Sequence, residues 1–568
     1  MRKSPYLVID TEGTLNHPFS ETWGISTSAF SICEYFAFNH MLGTNLPQEW
    51  LPLLKEVIEN HSCLVFHHAK HDLRSLQSIG INYTGKFYCT MLMAHMNNEN
   101  LPSKQLDFLS RYYGGEPKAI PEVMNSIING FGWEYVPVDM MRDYSHNDAY
   151  ITGQLFEKLL PSFKEQELDG DLWQIEQDFV RLLMKMENTG VLIDQDLSQK
   201  EYERGIKIMQ ELQNQLGFNP NSPTQLGNFL LEDLGLPVVK RTPKTKKGRG
   251  GNPSFDKEAM MIYDQILEQR GDKRAKQVLA YRGWSKTTSS NYKPYLELLH
   301  PDGRLRPNFK MHGTRTGRLS CEKPNLQQIP RESYNDWNGR TKEAIIVEPG
   351  RKAIEFDYSQ LEFRVGAAYG AVTRLLDAFN DPSRDVFDEM AALLGMERNG
   401  NKGAKVLNYT LQFGGGATRI SHVFGIEISA AQAIINNYYG QYPGLKIVAK
   451  FAENVCRDRG YIKYWSGRRR HITDPDEVRK AFNSLCQGGG FEIVKRVMLE
   501  IDKAGLNNDE CQLDLQVHDS IRASIEEGKE HIYIPEIKNI MENVRKFYDF
   551  GVKFKVGVHE WAGEEIVI

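Results

Sequence analysis

Short apolar runs that stop at acidic residues punctuate this 568-residue chain. The first, Tyr6-Leu7-Val8-Ile9, predicts a buried strand ending at Asp10. At the two-residue period of a strand, Asp10 and Glu12 share one face. A second run, Cys63-Leu64-Val65-Phe66, predicts another short strand leading into His67-His68-Ala69-Lys70-His71-Asp72. The segment from Tyr144 to Thr152 has helical character and places Tyr144 and Asp148 four residues apart, on one face.

From Leu168 to about Leu216 the pattern turns amphipathic and helical, with Ile175, Phe179, Leu182, Leu183 and Met186 as a packing stripe that Gly190 punctuates. Asn221-Ser222-Pro223 looks like a capped helix start, and a further helix is expected through Tyr281-Arg282. In Ala353-Ile354-Glu355-Phe356-Asp357 a strand ends at an acid and the chain turns into a helix that carries Glu362. Lys405, Tyr409 and Phe413 recur every four residues, which puts one cation and two aromatics on a helix face. Arg479, Asn483 and Gln487 form a comparable polar face. Leu513, Leu515 and Val517 alternate as a strand should, and a return strand follows, so His518-Asp519 fall at a hairpin turn.

Composition narrows this picture. A chain of this length requires two to four domains. The apolar run near Met1 is too short for a signal peptide, and none approaches the roughly 20 residues of a membrane span. Seven cysteines without a Cys-x-x-Cys pair suggest neither zinc nor a disulfide framework, so a reducing cytoplasm is expected. The net charge of −5 is uneven: residues 1–160 hold 11 Lys and Arg against 17 Asp and Glu, while the remainder holds 58 against 57. A basic run from Lys240 to Arg249, including Lys246 and Lys247, is suited to neutralising phosphates.

The four acids Asp10, Glu12, Asp72 and Asp148 could hold two hard cations ~4 Å apart, an arrangement that activates water and stabilises a leaving oxygen. Tyr144 would orient the attacking water. In their order these residues resemble the DEDD exonuclease superfamily, in its tyrosine-bearing proofreading branch. His68 and His71 stand where that pattern usually has Asn and an aromatic.

Four later clusters, in order, resemble the polymerase of family A DNA polymerases, the bacterial polymerase I type. The first runs from Thr314 to Pro330. There the resemblance implies that Arg318, Asn325 and Gln327 reach the minor groove, where every correct pair shows acceptors in similar places. In the second, Asp357 would bind both Mg²⁺ ions with help from the Tyr358 carbonyl. Tyr358, Ser359, Gln360 and Glu362 would then contact the nucleotide, Glu362 blocking a ribose 2′-hydroxyl. In the third, Lys405 would contact the triphosphate and protonate the departing pyrophosphate, while Lys402, Tyr409 and Phe413 complete the nucleotide site. Tyr409 implies ready acceptance of dideoxynucleotides. In the fourth, Asp519 would be the second metal-binding carboxylate, with His518 near the primer terminus. Arg479, Asn483 and Gln487 would touch primer–template DNA, as would Lys246 and Lys247 at the thumb tip. Departures are Asn401 for Arg, Phe387 for His, Phe413 for Tyr and Ser520 for Glu.

The resemblance implies an α/β exonuclease domain of mixed, RNase H-like sheet at 1–165. A right-hand polymerase follows: a helical thumb with connector at 166–310, an antiparallel palm sheet at 311–380 and 476–568, and helical fingers at 381–475. Two Mg²⁺ per site are expected, with Mn²⁺ as the alternative. The expected partners are primer–template DNA, dNTPs, and a replicative helicase or single-strand-binding protein. A monomer is expected, without a membrane and without a thioredoxin-type thumb insertion. No 5′-nuclease region is expected, which suggests a phage replicative enzyme working in the host cytoplasm. Two rivals share parts of the pattern: an exonuclease whose second half only binds duplex, and a single-subunit RNA polymerase.

Overall fold

The computed structural model describes residues 4–14, 21–29, 32–118, 120–242, 251–330, 340–400 and 402–566. The N-terminal sheet has the strand order β3-β2-β1-β4-β5, with β1 at Leu7–Gly13, β2 at Thr22–Ala29, β3 at Ile32–Ala37, β4 at Cys63–Phe66 and β5 at Lys86–Cys89. The first three pair antiparallel, whereas β4 and β5 run parallel to β1, so the sheet is mixed. The 28-residue helix Val138–Glu165 packs across it, burying Ile151, Leu155 and Leu159 against the apolar strands.

The amphipathic stretch 168–216 is two helices, Asp171–Thr189 and Gln195–Leu216, separated by the strand Val191–Ile193. Gly190 makes the break, at φ +63°. The thumb has an apolar core of its own, built from Leu226, Leu230, Tyr263 and Leu267, among others. Lys246 and Lys247 lie outside the described residues.

The palm is a four-stranded antiparallel sheet in the order Cys511–Val517, Ser520–Glu526, Arg351–Tyr358, Val556–Glu560. Simple alternation does not describe its first strand. The register shifts between Leu513 and Leu515, and Asp514 and Gln516 are buried while Val517 is half-buried. Asp514 is tolerated inside because it accepts a 2.6 Å bond from buried Arg522. Behind the sheet runs the helix Ala481–Lys503, whose Gly488 lets the ring of Tyr464 pass where a Cβ would stand 2.2 Å away. No helix among the described residues is long and apolar enough to cross a membrane.

Candidate active sites

The first site forms on one face of β1. Ligand atoms of Asp10, Glu12 and Asp148 all lie within 4.8 Å of one another, close enough to share a cation. Two serines seat the helix bearing Asp148 against the sheet. Ser26 Oγ donates to the Ser145 carbonyl (2.9 Å), and Ser145 Oγ donates to Glu12 (3.2 Å). Asp72, in the first turn of the helix Ala69–Ser78, stands beside this trio rather than within it. Its Oδ1 accepts from the backbone N–H and hydroxyl of Thr11, at 3.2 and 2.9 Å.

Burial, the largest cause at all three, pushes these acids upward: Glu12 to about 8, Asp72 to about 7, and Asp10 well above the usual carboxylate range. The charges of Glu12 and Asp148 add to it at Asp10, that of Asp148 adds to it at Glu12, and hydrogen bonds from Thr11 oppose it at Asp72. Such a cluster is costly alone and fits divalent cations, which would relieve it. Asp148 Oδ1 is buried without a hydrogen-bond partner, as an oxygen kept for a cation would be. Tyr144 packs against Trp133, with ring centroids 6.2 Å apart.

A cation missed in the sequence completes the group. Lys118 donates to Asp148 Oδ2 and lies over the Tyr144 ring, 4.9 Å from its centroid. No local periodicity marks it, because the pairing spans 30 residues. His68 and His71 stack on each other at 6.2 Å, and His71 Nε2 contacts the Thr11 carbonyl at 3.3 Å.

The second site lies where the palm strands end. Asp357 pairs in register with Ser520, which sets the turn residue Asp519 beside it, and the Tyr358 N–H donates to the Asp519 carbonyl (3.4 Å). Tyr358 itself is buried, its hydroxyl donating to the Met541 carbonyl. Gln360 takes a left-handed conformation, φ +59°, and turns the chain through Ser359 into the helix Leu361–Tyr369. Burial raises Asp519 and Glu362, and Arg318 opposes the rise at both. Arg318 bridges them, donating to Glu362 and, at 3.2 Å, to Asp519. Ser520 Oγ donates to Glu355 (2.9 Å), so a carboxylate from the neighbouring strand approaches the turn. Glu355 is two residues before Asp357 and shares its face, a relation visible in the sequence once the strand is accepted.

The helix Ala404–Gln412 forms the opposing wall. Its Gln412 donates to the Glu362 carbonyl at 3.0 Å, which fixes wall to floor. Tyr409 stacks on Phe413 (6.1 Å, 18°) and leans on fully buried Phe387 at 6.0 Å, with Lys405 Nζ 5.9 Å from the Phe387 ring. Lys405, Tyr409, Phe413 and Arg419 line a cavity of about 490 Å³. Arg398 is held by Asp385 and Asp388, at 2.9 and 3.1 Å, whereas Lys402 is exposed at the head of the helix.

The expected DNA-facing residues fall on several elements. Gln327 donates to Gln516 Oε1 at 2.8 Å, and Asn325 caps the short turn Leu326–Gln328. Arg479 is exposed in the turn Val478–Lys480, two residues ahead of the helix that carries half-buried Asn483 and Gln487. His518 occupies the hairpin turn at φ +54°.

A mixed-sheet nuclease domain with clustered carboxylates, joined to a right hand with two aspartates on its palm, defines a polymerase with an attached exonuclease fold. The chain belongs to DNA polymerase family A, whose model matches residues 193–563, and the 3′-5′ exonuclease model matches residues 1–164. DNA polymerase I of Chloroflexus aurantiacus is 28% identical over 96% of this chain and 60% of its own length. The thermostable DNA polymerase I of Thermus aquaticus is 30% identical over 69% of this chain and 48% of its own length. The solved POL domain of Pol1 from M. smegmatis, in complex with DNA primer-template and dNTP, shares the fold. It matches with a TM-score of 0.84 and 21% identity, over 99% of this chain and 96% of that one. The chain spans 50–60% of the length of the first three curated relatives.

Proposed function

We propose that this protein extends a DNA primer from dNTPs under template direction and removes mispaired primer ends in the 3′→5′ direction. The observation that carries this reading is the placement of Asp357 near the end of one palm strand, beside Asp519 in the hairpin turn that leads into the adjacent strand, facing a helix with Lys405 and Tyr409. Divalent cations, proposed as Mg²⁺ with Mn²⁺ as the alternative, would supply acidification of the attacking hydroxyl or water and neutralisation of phosphate charge at both sites.

At the palm, Asp357 and Asp519 would hold those ions, with the Tyr358 carbonyl beside them. Lys405 would bind the triphosphate and give a proton to the departing pyrophosphate. Tyr409 and Phe413 would offer a stacking surface for the base. Glu362, fixed between Arg318 and Gln412, would close the space beside the sugar and exclude a 2′-hydroxyl. Arg318, Asn325, Gln327, Arg479, Asn483, Gln487 and His518 would follow the primer–template duplex.

At the exonuclease site, Asp10, Glu12, Asp72 and Asp148 would hold the ions and Tyr144 would orient water. A frayed end reaches this site most cheaply when mispaired, because unpairing a mismatch costs least. We assign the protein to DNA replication in the cytoplasm, as a monomer beside a helicase or single-strand-binding protein.

Primer extension with dNTPs against rNTPs tests the synthetic reading. Extension with dNTPs alone supports it; equal use of both favours an RNA polymerase, and no extension favours a duplex-binding module.

A further inference from the structure

We propose that Lys118 is a working cation of the exonuclease site. It neutralises Asp148 while the site is empty, yields that carboxylate to an entering divalent ion, and then serves the scissile DNA phosphate. This rests on the exonuclease reading and adds to it a residue that none of the expected motifs contains.

Three observations converge on Lys118. Its ammonium pairs with Asp148, whose side chain is only 2% exposed, although Lys118 itself remains 29% exposed. A lysine that reaches from the surface to a buried acid keeps a route to withdraw along. The same ammonium stands 4.9 Å from the ring centroid of Tyr144, the residue expected to orient water. Asp148, in turn, belongs to the trio with Asp10 and Glu12, and its second oxygen is buried without a partner. One carboxylate therefore offers an oxygen to the cluster and another to Lys118.

Electrostatics give the pairing its consequence. With no cation bound, Lys118 opposes the rise that burial causes at Asp10, Glu12 and Asp148, and that neighbouring carboxylates add to at Asp10 and Glu12. An entering divalent ion supplies more charge to the same oxygens, so ion and ammonium bind Asp148 antagonistically. Once displaced, the ammonium is tethered beside a bound phosphodiester, where a positive charge stabilises the charge that develops as the bond breaks. A structural anchor would behave differently, since its removal would loosen Asp148 and weaken ion binding.

The test uses Mn²⁺ as the probe. Its binding is followed by electron paramagnetic resonance in a full-length chain carrying Asp357→Ala and Asp519→Ala, so that the palm carboxylates do not contribute. Lys118→Ala should tighten Mn²⁺ binding by about 5-fold or more. In the otherwise unaltered chain it should slow saturated cleavage of single-stranded DNA by roughly 100-fold. Lys118→Arg should recover part of the rate. Primer extension by Lys118→Ala and Lys118→Arg in the otherwise unaltered chain reports that the chain is folded. Weaker Mn²⁺ binding in Lys118→Ala would make Lys118 a structural anchor and overturn the proposal, as would wild-type values for both measurements. Asp10→Ala separates the two readings: primer degradation that survives it defeats the exonuclease assignment, while the Mn²⁺ titration still judges Lys118.

Discussion

Glu12 and Asp72 hold their protons well beyond the usual carboxylate range, at about 8 and about 7, because burial penalises their charged forms. Both folded-state values exceed the unfolded ones, so the folded, metal-free domain binds more protons than the unfolded chain. Its stability from these groups is full below about pH 4 and is lost as the pH rises through about 7 to 8. Melting followed by calorimetry in chelator should therefore show a falling transition temperature across that window. Glu12→Gln should flatten the fall and raise the transition at about pH 8, while abolishing primer degradation. An unchanged pH profile in Glu12→Gln would refute this account of the cluster. In the palm, Arg318 touches both Glu362 and Asp519. Arg318→Ala should lower kcat/KM for nucleotide addition by roughly 100-fold in single-turnover extension and leave the exonuclease rate unchanged. The individual acids were legible because each lies on a strand, in a hairpin turn or on a helix face. Lys118 and Thr11 were not, since their roles depend on partners from other elements.

Elements were legible where one apolar face dominates. The strands carrying Asp10 and Asp357 and the stripe along 171–189 are of this kind, although the first strand runs past its expected end at Asp10 to Gly13, held by its pairing with β2. The strand Cys511–Val517 was legible from its alternation, which does not show that its second face is also buried, against Arg522 and the adjoining elements, or that a bulge shifts its register. Periodicity reports how many faces are apolar, and it cannot show a buried Asp514 answered by an arginine eight residues on. Close approach is equally invisible. Gly488 sits in a helix interior, where glycine is normally a defect, yet it is what lets the short hairpin around Tyr464 pack against that helix. Gly488→Ala should cost roughly 1–3 kcal/mol by overpacking, read as a lowered denaturation midpoint. A neutral or stabilising effect would contradict this packing.

At the scale of the whole molecule, buried ion pairs fasten the nuclease domain to the polymerase. Lys70 and Arg74 converge on Glu187, and Glu187 also accepts the Phe309 N–H at 2.7 Å. Glu99 pairs with Arg470 (2.6 Å) and His471 (2.9 Å) across the opposite junction. Removing one partner strands the rest, so Glu187→Gln should cost about 3–5 kcal/mol in equilibrium unfolding. The thumb and fingers also meet, where Glu258 receives Arg419 at 3.3 Å and His422 at 3.1 Å. These groups are partly exposed, so the contact is weak. Glu258→Arg should shorten the products made per binding event in the presence of a trap, and Arg419→Glu in the same chain should restore them in part. The most direct test of the two-site account is extension of a primed template with Mg²⁺ by the wild type, Asp357→Ala and Asp10→Ala. Asp357→Ala should abolish extension and spare primer degradation, while Asp10→Ala should do the reverse. A wild-type protein that degrades the primer but never extends it would contradict the account.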